Sequence, residues 1–402
     1  MKSIKDQADL NQKNILLRLD LNVPLKNGAI TDTTRIDKIL PTIKYLLEKN
    51  AKIIILSHVG RPKGKAVKEL SLEPICEDLK IKLKTDIKLI TKNIREINST
   101  DLFKNQNEKI VILENLRFYE EEEKNDNAFA KHLASLADIY VNDAFSCSHR
   151  AHASIFKITK FITSYSGLQF DLEIEALTKI TSEIKKPITC IIGGSKISSK
   201  INIIKNLISK FNNIIIVGGM ANNILKYQGY EIGKSLQEDN CHQIIEEIFS
   251  LSKKEDCEIL FPEDVVVGKN LNGNPAVKEL KDISKDDLIL DIGPKSIKTI
   301  NNLIDKSNTI LWNGPAGYFE NPNFAKGSIQ IAKKIVEKNN NNTIYSVAGG
   351  GDTVSLLNTI DAVNSLNFVS TAGGAFLEYL EGKELPGIKA LNQYVGTKQN
   401  ST

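Results

Sequence analysis

Ile188-Thr189-Cys190-Ile191-Ile192-Gly193-Gly194-Ser195-Lys196 runs five residues of strand-forming or apolar type straight into a glycine pair and a lysine. A strand with one face in water would alternate polar and apolar side chains, so a continuous run suits a parallel strand buried on both faces. The glycines free the backbone to turn and to approach a ligand closely, and Lys200 follows Lys196 by four residues where a helix is expected to open. Strand, bare-backbone turn and helix N-terminus together make one βα unit shaped for phosphate.

The same pattern extends outward from this stretch. It predicts strands at residues 15–23, 52–57, 110–113, 139–142, 188–192, 214–217, 258–261, 288–292, 309–312, 343–347 and 368–370. Helices at 37–49, 127–137 and 326–338 alternate with them, and the polar Asn run at 339–342 reads as a loop. Repeated βα units imply an α/β fold of doubly wound parallel sheets, and eleven strands divide better between two sheets than one. A seam is expected near Gly167, followed by one amphipathic connecting helix over 172–186 that ends before Pro187.

Composition narrows the class. A chain of 402 residues exceeds one ordinary core, so two domains are the prior. It is 41% hydrophobic and 25% charged, with no apolar run near membrane-spanning length and no secretion or lipidation signal. A net charge of +4 with interspersed Lys and Glu does not suggest nucleic-acid binding. Five scattered cysteines without a CxxC pair fit a reducing cytoplasm with neither disulfide framework nor zinc site.

Arginine and glycine are split between the halves. Six of the 53 basic residues are arginines, at 18, 35, 61, 95, 117 and 150, and none follows Arg150. A chain drifted this far toward lysine keeps arginine where a planar fork must grip an oxyanion. Arg35, Arg61, Arg117 and Arg150 fall in loops or at strand ends and could converge with His58 on a small molecule bearing carboxylate and phosphate charge. Arg18 and Arg95 read as structural or surface residues. Asp20 and Asn22 alternate at one strand end and offer an acceptor and an amide to a hydroxyl group. Only four of 24 glycines precede residue 170. Gly349-Gly350-Gly351-Asp352-Thr353 repeats the phosphate-turn idea with an acid added, as Mg²⁺ needs beside substrate phosphates. Asn313 and Glu320 flank a Gly-Pro turn and could reach a ribose or phosphate. Nearly all these clusters follow strands, where open parallel sheets bind ligands.

Three signatures fail. The Gly229–Ser235 segment is one residue short of a phosphate-binding P-loop and follows a predicted helix, so it reads as structural. No GxGxxG follows an early strand, which weakens a dinucleotide dehydrogenase. His149 and His152 stand three apart without a neighbouring acid or Cys at ligand spacing, so no metal site is expected there, and His152 reads as structural.

At these residues the chain resembles the phosphoglycerate kinase family over essentially its whole length. The resemblance is carried by RLDLNVP (18–24), SHVGRP (57–62), LENLRF (113–118), HRAHAS (149–154), GGSK (193–196), DIGPKS (291–296), WNGPAGYFE (312–320), GGGDT (349–353) and LEGKELPG (380–387). It implies two Rossmann-like lobes joined by a helix and hinge: a phosphoglycerate-binding lobe over 1–168, an interdomain helix over 169–186, a nucleotide-binding lobe over 187–385, and a tail over 386–402 returning to the first lobe. The implied reaction is reversible, direct in-line phosphoryl transfer between 1,3-bisphosphoglycerate and ADP after lobe closure, giving 3-phosphoglycerate and ATP in glycolysis. By matching position, Asp20, Leu21, Asn22, Arg35, His58, Val59, Gly60, Arg61, Arg117 and Arg150 hold the phosphoglycerate. Gly194, Lys196, Lys200, Gly218, Asn313, Glu320, Gly349, Gly350, Gly351, Asp352 and Thr353 hold the nucleotide, with Asp352 nearest Mg²⁺. Arg35, Lys196 and Lys200 are the expected catalytic residues, in a cytoplasmic monomer that binds neither nucleic acid nor membrane. The chain departs from the family at Ser146-Cys147-Ser148, Ser199, Asn222-Asn223 and Ala372. The rivals are the dehydrogenase and a non-catalytic metabolite-binding protein of the same fold.

Overall fold

In the computed structural model the described residues are 1–104 and 107–393. The strands in chain order are β1 (Asn14–Leu19), β2 (Leu25–Lys26), β3 (Ala29–Ile30), β4 (Lys52–Leu56), β5 (Ile87–Ile90), β6 (Ile110–Leu113), β7 (Ile139–Asp143), β8 (Ser164–Ser166), β9 (Ile188–Gly193), β10 (Asn213–Val217), β11 (Glu258–Leu260), β12 (Asp264–Gly268), β13 (Ala276–Glu279), β14 (Leu288–Ile292), β15 (Thr309–Asn313), β16 (Tyr345–Gly349) and β17 (Phe368–Ser370). The chain divides into two compact units, one of Met1–Ile174 with the segment that begins at Glu384, the other of Glu175–Lys383.

The first unit is built on a six-stranded sheet in the order β5-β6-β4-β1-β7-β8, with every described pairing parallel. Its strands are buried on both faces, as the unbroken apolar runs require. Ile15, Leu17, Leu19, Ile53 and Ile55 join the core on one side, and Leu16, Ile54, Leu56, Val111 and Tyr140 join that on the other. The chain order reverses about β1, so the ends of β6, β4, β1 and β7 stand side by side at the kind of switch point where ligands bind. The helix Pro386–Gln393 belongs with this unit, and Gly387 N–H donates to the Ser148 carbonyl at 2.9 Å. The rest of the expected tail contact, 394–402, lies outside the described residues.

The second unit repeats the plan with β11-β10-β9-β15-β16-β17, again parallel. Adjacent strand ends here are Val217, Gly193, Asn313 and Gly349. A separate antiparallel sheet, β13-β12-β14, packs its own small cluster of Val265, Val267, Leu280 and Ile283.

Several sequence expectations are corrected. The first strand stops at Leu19 rather than residue 23, although Leu21 and Val23 stay buried and so keep the strand pattern alive. The segment 288–292 is a strand, but its partner is the antiparallel β12. The connecting helix is Leu168–Thr181, beginning and ending earlier than 172–186, and it crosses the division between the units at Ile174 and Glu175. The helix Lys326–Asn340 takes in the first two of the four Asn-run residues expected as loop.

Candidate functional site

In the first unit the sheet order gathers residues far apart in sequence. Asp20 leaves β1, and its Oδ2 accepts from Arg35 Nη1 at 2.9 Å and from the Ser146 hydroxyl at 2.5 Å. Asp20 Oδ1 accepts from Asn22 N–H at 3.2 Å. Arg35 stands in the first turn of the helix Thr34–Glu48 and also donates to the Asn22 carbonyl at 3.2 Å. Asn22 Oδ1 in turn accepts Gly60 N–H at 2.9 Å, tying the loop after β1 to that after β4. Ser57 fastens the same two loops, accepting Leu21 N–H at 3.1 Å and donating to the Leu19 carbonyl at 2.8 Å. Arg117 follows β6 and donates to the Gly60 carbonyl at 3.0 Å, while its Nε lies 3.6 Å from Glu123. Burial, chiefly, lowers the Arg117 guanidinium pKa. Gly60 has φ +65°, and a Cβ there would meet the end of the Leu70 side chain at 2.6 Å, so another residue would strain the turn and displace Leu70.

Behind these groups lies a buried polar layer. Arg18 Nη2 donates to His58 Nδ1 at 3.0 Å, and because guanidinium is only a donor, the ring proton sits on Nε2. Burial first, then the nearby charges of Arg18 and Arg117, hold His58 well below its usual range, so it is neutral. Arg18 Nε donates to Ser154 Oγ at 3.0 Å, and that hydroxyl donates to Glu122 Oε1 at 2.6 Å. Arg18 is thus structural, and Arg95 is a surface residue paired with Glu121 at 2.6 Å. His152 is buried, in line with a structural reading.

The other sequence candidates of this unit stand apart from that network. Arg61 and Arg150 are exposed, and Arg150 Nε donates to His149 Nε2 at 3.2 Å. Leu21 and Val59 turn their side chains into the core, so only their backbone can belong to a site. Ser146 and Asn115 were not picked out as site residues from the sequence. Asn115 fixes the loops by donating to the Val59 carbonyl at 2.8 Å and the Leu70 carbonyl at 2.9 Å. For Ser146 the available signal was its place in an odd Ser-Cys-Ser run after a strand; for Asn115 it was its place in the LENLRF segment (113–118).

In the second unit Lys200 Nζ donates to Asn313 Oδ1 at 2.7 Å, and Asn313 Nδ2 donates to the Gly349 carbonyl at 2.6 Å. The Asn313 amide thus links Lys200 to the end of β16, with one bond made at each end. Burial lowers the Lys200 pKa, opposed by the nearby Cys190, Asp352 and Glu381. Thr353 is buried and accepts Gly314 N–H on its hydroxyl at 2.7 Å. The two glycine turns interlock: a Cβ on Gly314 would meet the Gly193 carbonyl oxygen at 2.3 Å, and one on Gly350 would meet Asn313 Nδ2 at 2.6 Å.

The helix after the Gly193-Gly194 turn starts at Ile201, so Lys196 lies in the loop before it, more than a turn's length ahead, and is exposed. That loop is held by Glu238, which accepts Ser198 N–H at 3.0 Å and the Ser198 hydroxyl at 2.5 Å. No sequence signal pointed to Glu238. A cavity of about 580 Å³ opens beside the turns, walled by Gly194, Gly218, Leu236, Phe319, Glu320 and Asp352 among others. Asp352 is exposed in the first turn of the helix Gly351–Thr359. The Gly229–Ser235 turn is structural: a Cβ on Gly233 would meet the Asp287 carbonyl oxygen at 2.3 Å. Asp291, on the cavity wall, accepts Gly327 N–H at 2.7 Å and Ile292 N–H at 2.9 Å, and burial pushes it up to about 7.

Residues 4–383 match the family model for phosphoglycerate kinase. The chain belongs to the phosphoglycerate kinase family. It is 45% identical over 392 residues to the phosphoglycerate kinase of Wolbachia pipientis subsp. Culex pipiens, covering 96% of this chain and 98% of that one. The Dictyoglomus turgidum phosphoglycerate kinase is also 45% identical, over 97% of this chain and 98% of its own. The solved phosphoglycerate kinase of Coxiella burnetii superposes with a TM-score of 0.89 at 37% identity, over 98% of this chain and 99% of that one. The chain is therefore a phosphotransferase of glycolysis, interconverting 1,3-bisphosphoglycerate and ADP with 3-phosphoglycerate and ATP.

Proposed function

We propose that the first unit holds the phosphoglycerate and the second the nucleotide, each at the strand ends described. The observation that carries this reading is the separation of two networks: Asp20, Asn22, Arg35, Gly60 and Arg117 in the first unit, and Lys200, Asn313 and Gly349 in the second. Arg35 and Arg117 grip the anionic groups as forks, joined by the exposed Arg61 and Arg150, while Asp20 and Asn22 meet the hydroxyl. Neutral His58, with Nδ1 taken by Arg18, has a hydrogen on Nε2 to donate. The glycine turns at Gly194, Gly218 and Gly349–Gly351 give backbone access to phosphates, and Glu320 on the cavity wall meets the ribose end.

Mg²⁺ fits this second unit at Asp352. An exposed carboxylate on a cavity wall beside phosphate-shaped turns is a donor set Mg²⁺ uses, since it keeps waters and shares substrate oxygens. Bound there, it supplies positive charge to the nucleotide phosphates.

The nucleophile is a β-phosphate oxygen of ADP, already ionised, so the transfer needs no general base. The residues position the reactants in line and neutralise charge on a loose transition state. Arg35 and Lys196 are assigned to the equatorial oxygens of the transferring group, and Lys200, aligned by Asn313, to the nucleotide end. The reading includes a cytoplasmic monomer. Titration calorimetry tests the division of labour. Arg117→Ala should weaken 3-phosphoglycerate binding at least tenfold and leave MgADP unchanged, and Glu320→Ala should do the reverse. Either variant weakening both ligands alike would refute the assignment.

A further inference from the structure

We propose that Ser146 is a positioning residue that sets how readily Arg35 leaves Asp20 for the anionic substrate; this rests on the role given to Arg35 above. The Ser146 hydroxyl donates to Asp20 Oδ2 at 2.5 Å, and Arg35 Nη1 donates to that same oxygen at 2.9 Å. The other oxygen, Oδ1, takes Asn22 N–H at 3.2 Å. Asp20 is only 8% exposed, so water is a poor substitute for a lost donor.

This geometry has a consequence for the reaction. To reach the substrate's oxygens, Arg35 gives up or loosens its bond to Asp20. The carboxylate left behind is then nearly sealed from water, and besides any bond from the substrate's hydroxyl it keeps the protein's own donor on Oδ2 through Ser146. A side chain without the hydroxyl leaves Oδ2 leaning on Arg35, and the carboxylate then pulls the guanidinium back toward its resting pairing. Ser146 acts through Asp20 and Arg35 rather than on the reacting atoms.

The test is a set of steady-state assays in the direction of ATP and 3-phosphoglycerate, on wild type, Ser146→Ala, Ser146→Thr, Arg35→Ala and the Ser146→Ala/Arg35→Ala double variant. Thermal melting confirms that each folds. Ser146→Ala should lower kcat roughly tenfold, the scale of one hydrogen bond to a charged group, with KM for ATP unchanged. Ser146→Thr, which keeps the hydroxyl, should restore most of that loss. In the Arg35→Ala background the alanine at 146 should cost nothing further, because the group it acts through is gone. Unchanged kcat in Ser146→Ala, or the same tenfold loss with Arg35 absent, overturns the proposal while the functional reading stands. A folded wild type that transfers no phosphoryl group overturns the functional reading, and this proposal with it.

Discussion

Arg18 and Glu122 are both sealed from solvent, yet the hydroxyl of Ser154 stands between them, accepting from one and donating to the other. A buried charge that loses its compensation is costly even where the intact arrangement contributes little net stability. Glu122→Ala should therefore destabilise the protein by about 3–5 kcal/mol in urea unfolding, and Glu122→Gln, which keeps an acceptor for Ser154, by clearly less. His152 gives a pH signature. Burial first, then Arg117 and Arg18, push it down to about 3, whereas the unfolded chain takes up that proton near 6.5. Between those values the unfolded state binds more protons, so the stabilisation tied to neutral His152 is complete above pH 6.5 and is lost as pH falls toward 3. Wild type should lose more stability between pH 7 and 4 than His152→Gln does; parallel profiles would contradict this. At this scale the sequence was most legible for residues whose type is chemically committed. Arg117 follows a strand end as its scarcity implied, Arg35 instead opens the helix Thr34–Glu48, and Arg18 and Arg95 proved structural and superficial. Ser146, Asn115 and Glu238 escaped because serine, asparagine and glutamate are common on any surface, and only a partner distant in sequence gives them a role.

Elements were legible where burial on both faces made an unbroken apolar run. All eleven expected strands exist, because Ile- and Val-rich stretches of four to six residues have few other ways to hide their side chains. The end of β1 was not legible: Leu21 and Val23 remain buried after the ladder stops, and the loop at Asp20 is set by Ser57 and Asn22 contacts. Strand Ile87–Ile90 was missed because Lys88 breaks its short run, and Asp264–Gly268 was missed although fully buried, because its apolar run is only three residues long. The partner of Leu288–Ile292 could not be read, since the same apolar run serves parallel and antiparallel pairing. The glycine turns carry the element-scale prediction. Gly350 has φ +101°, and a Cβ would stand 2.6 Å from the Asn313 amide that aligns Lys200. Gly350→Ala should weaken MgADP binding at least tenfold in calorimetry while leaving 3-phosphoglycerate affinity within twofold of wild type.

For the whole molecule, a division into two parallel sheets with ligand clusters at the strand ends follows from the pattern, though not the count of six strands in each, and the family resemblance supplied the reaction. The chemistry adds a requirement that neither sheet meets alone: an acyl phosphate hydrolyses in water, so transfer calls for water to be excluded when both ligands are bound. We expect the radius of gyration in small-angle scattering to fall with 3-phosphoglycerate and MgADP together, more than with either alone, through movement about Gly167 and the helix that follows; an unchanged value with both would count against closure. The central claim is that charge neutralisation by a guanidinium fork, not base catalysis, carries the transfer. Arg35→Lys keeps the charge and removes the fork, so the most direct measurement compares it with wild type for phosphoryl transfer from MgATP to 3-phosphoglycerate, the product being consumed by a coupled dehydrogenase. The account predicts an active wild type and a variant whose kcat is lower by roughly 100-fold, with a smaller change in KM. A variant as fast as wild type, or one altered only in KM, would contradict it.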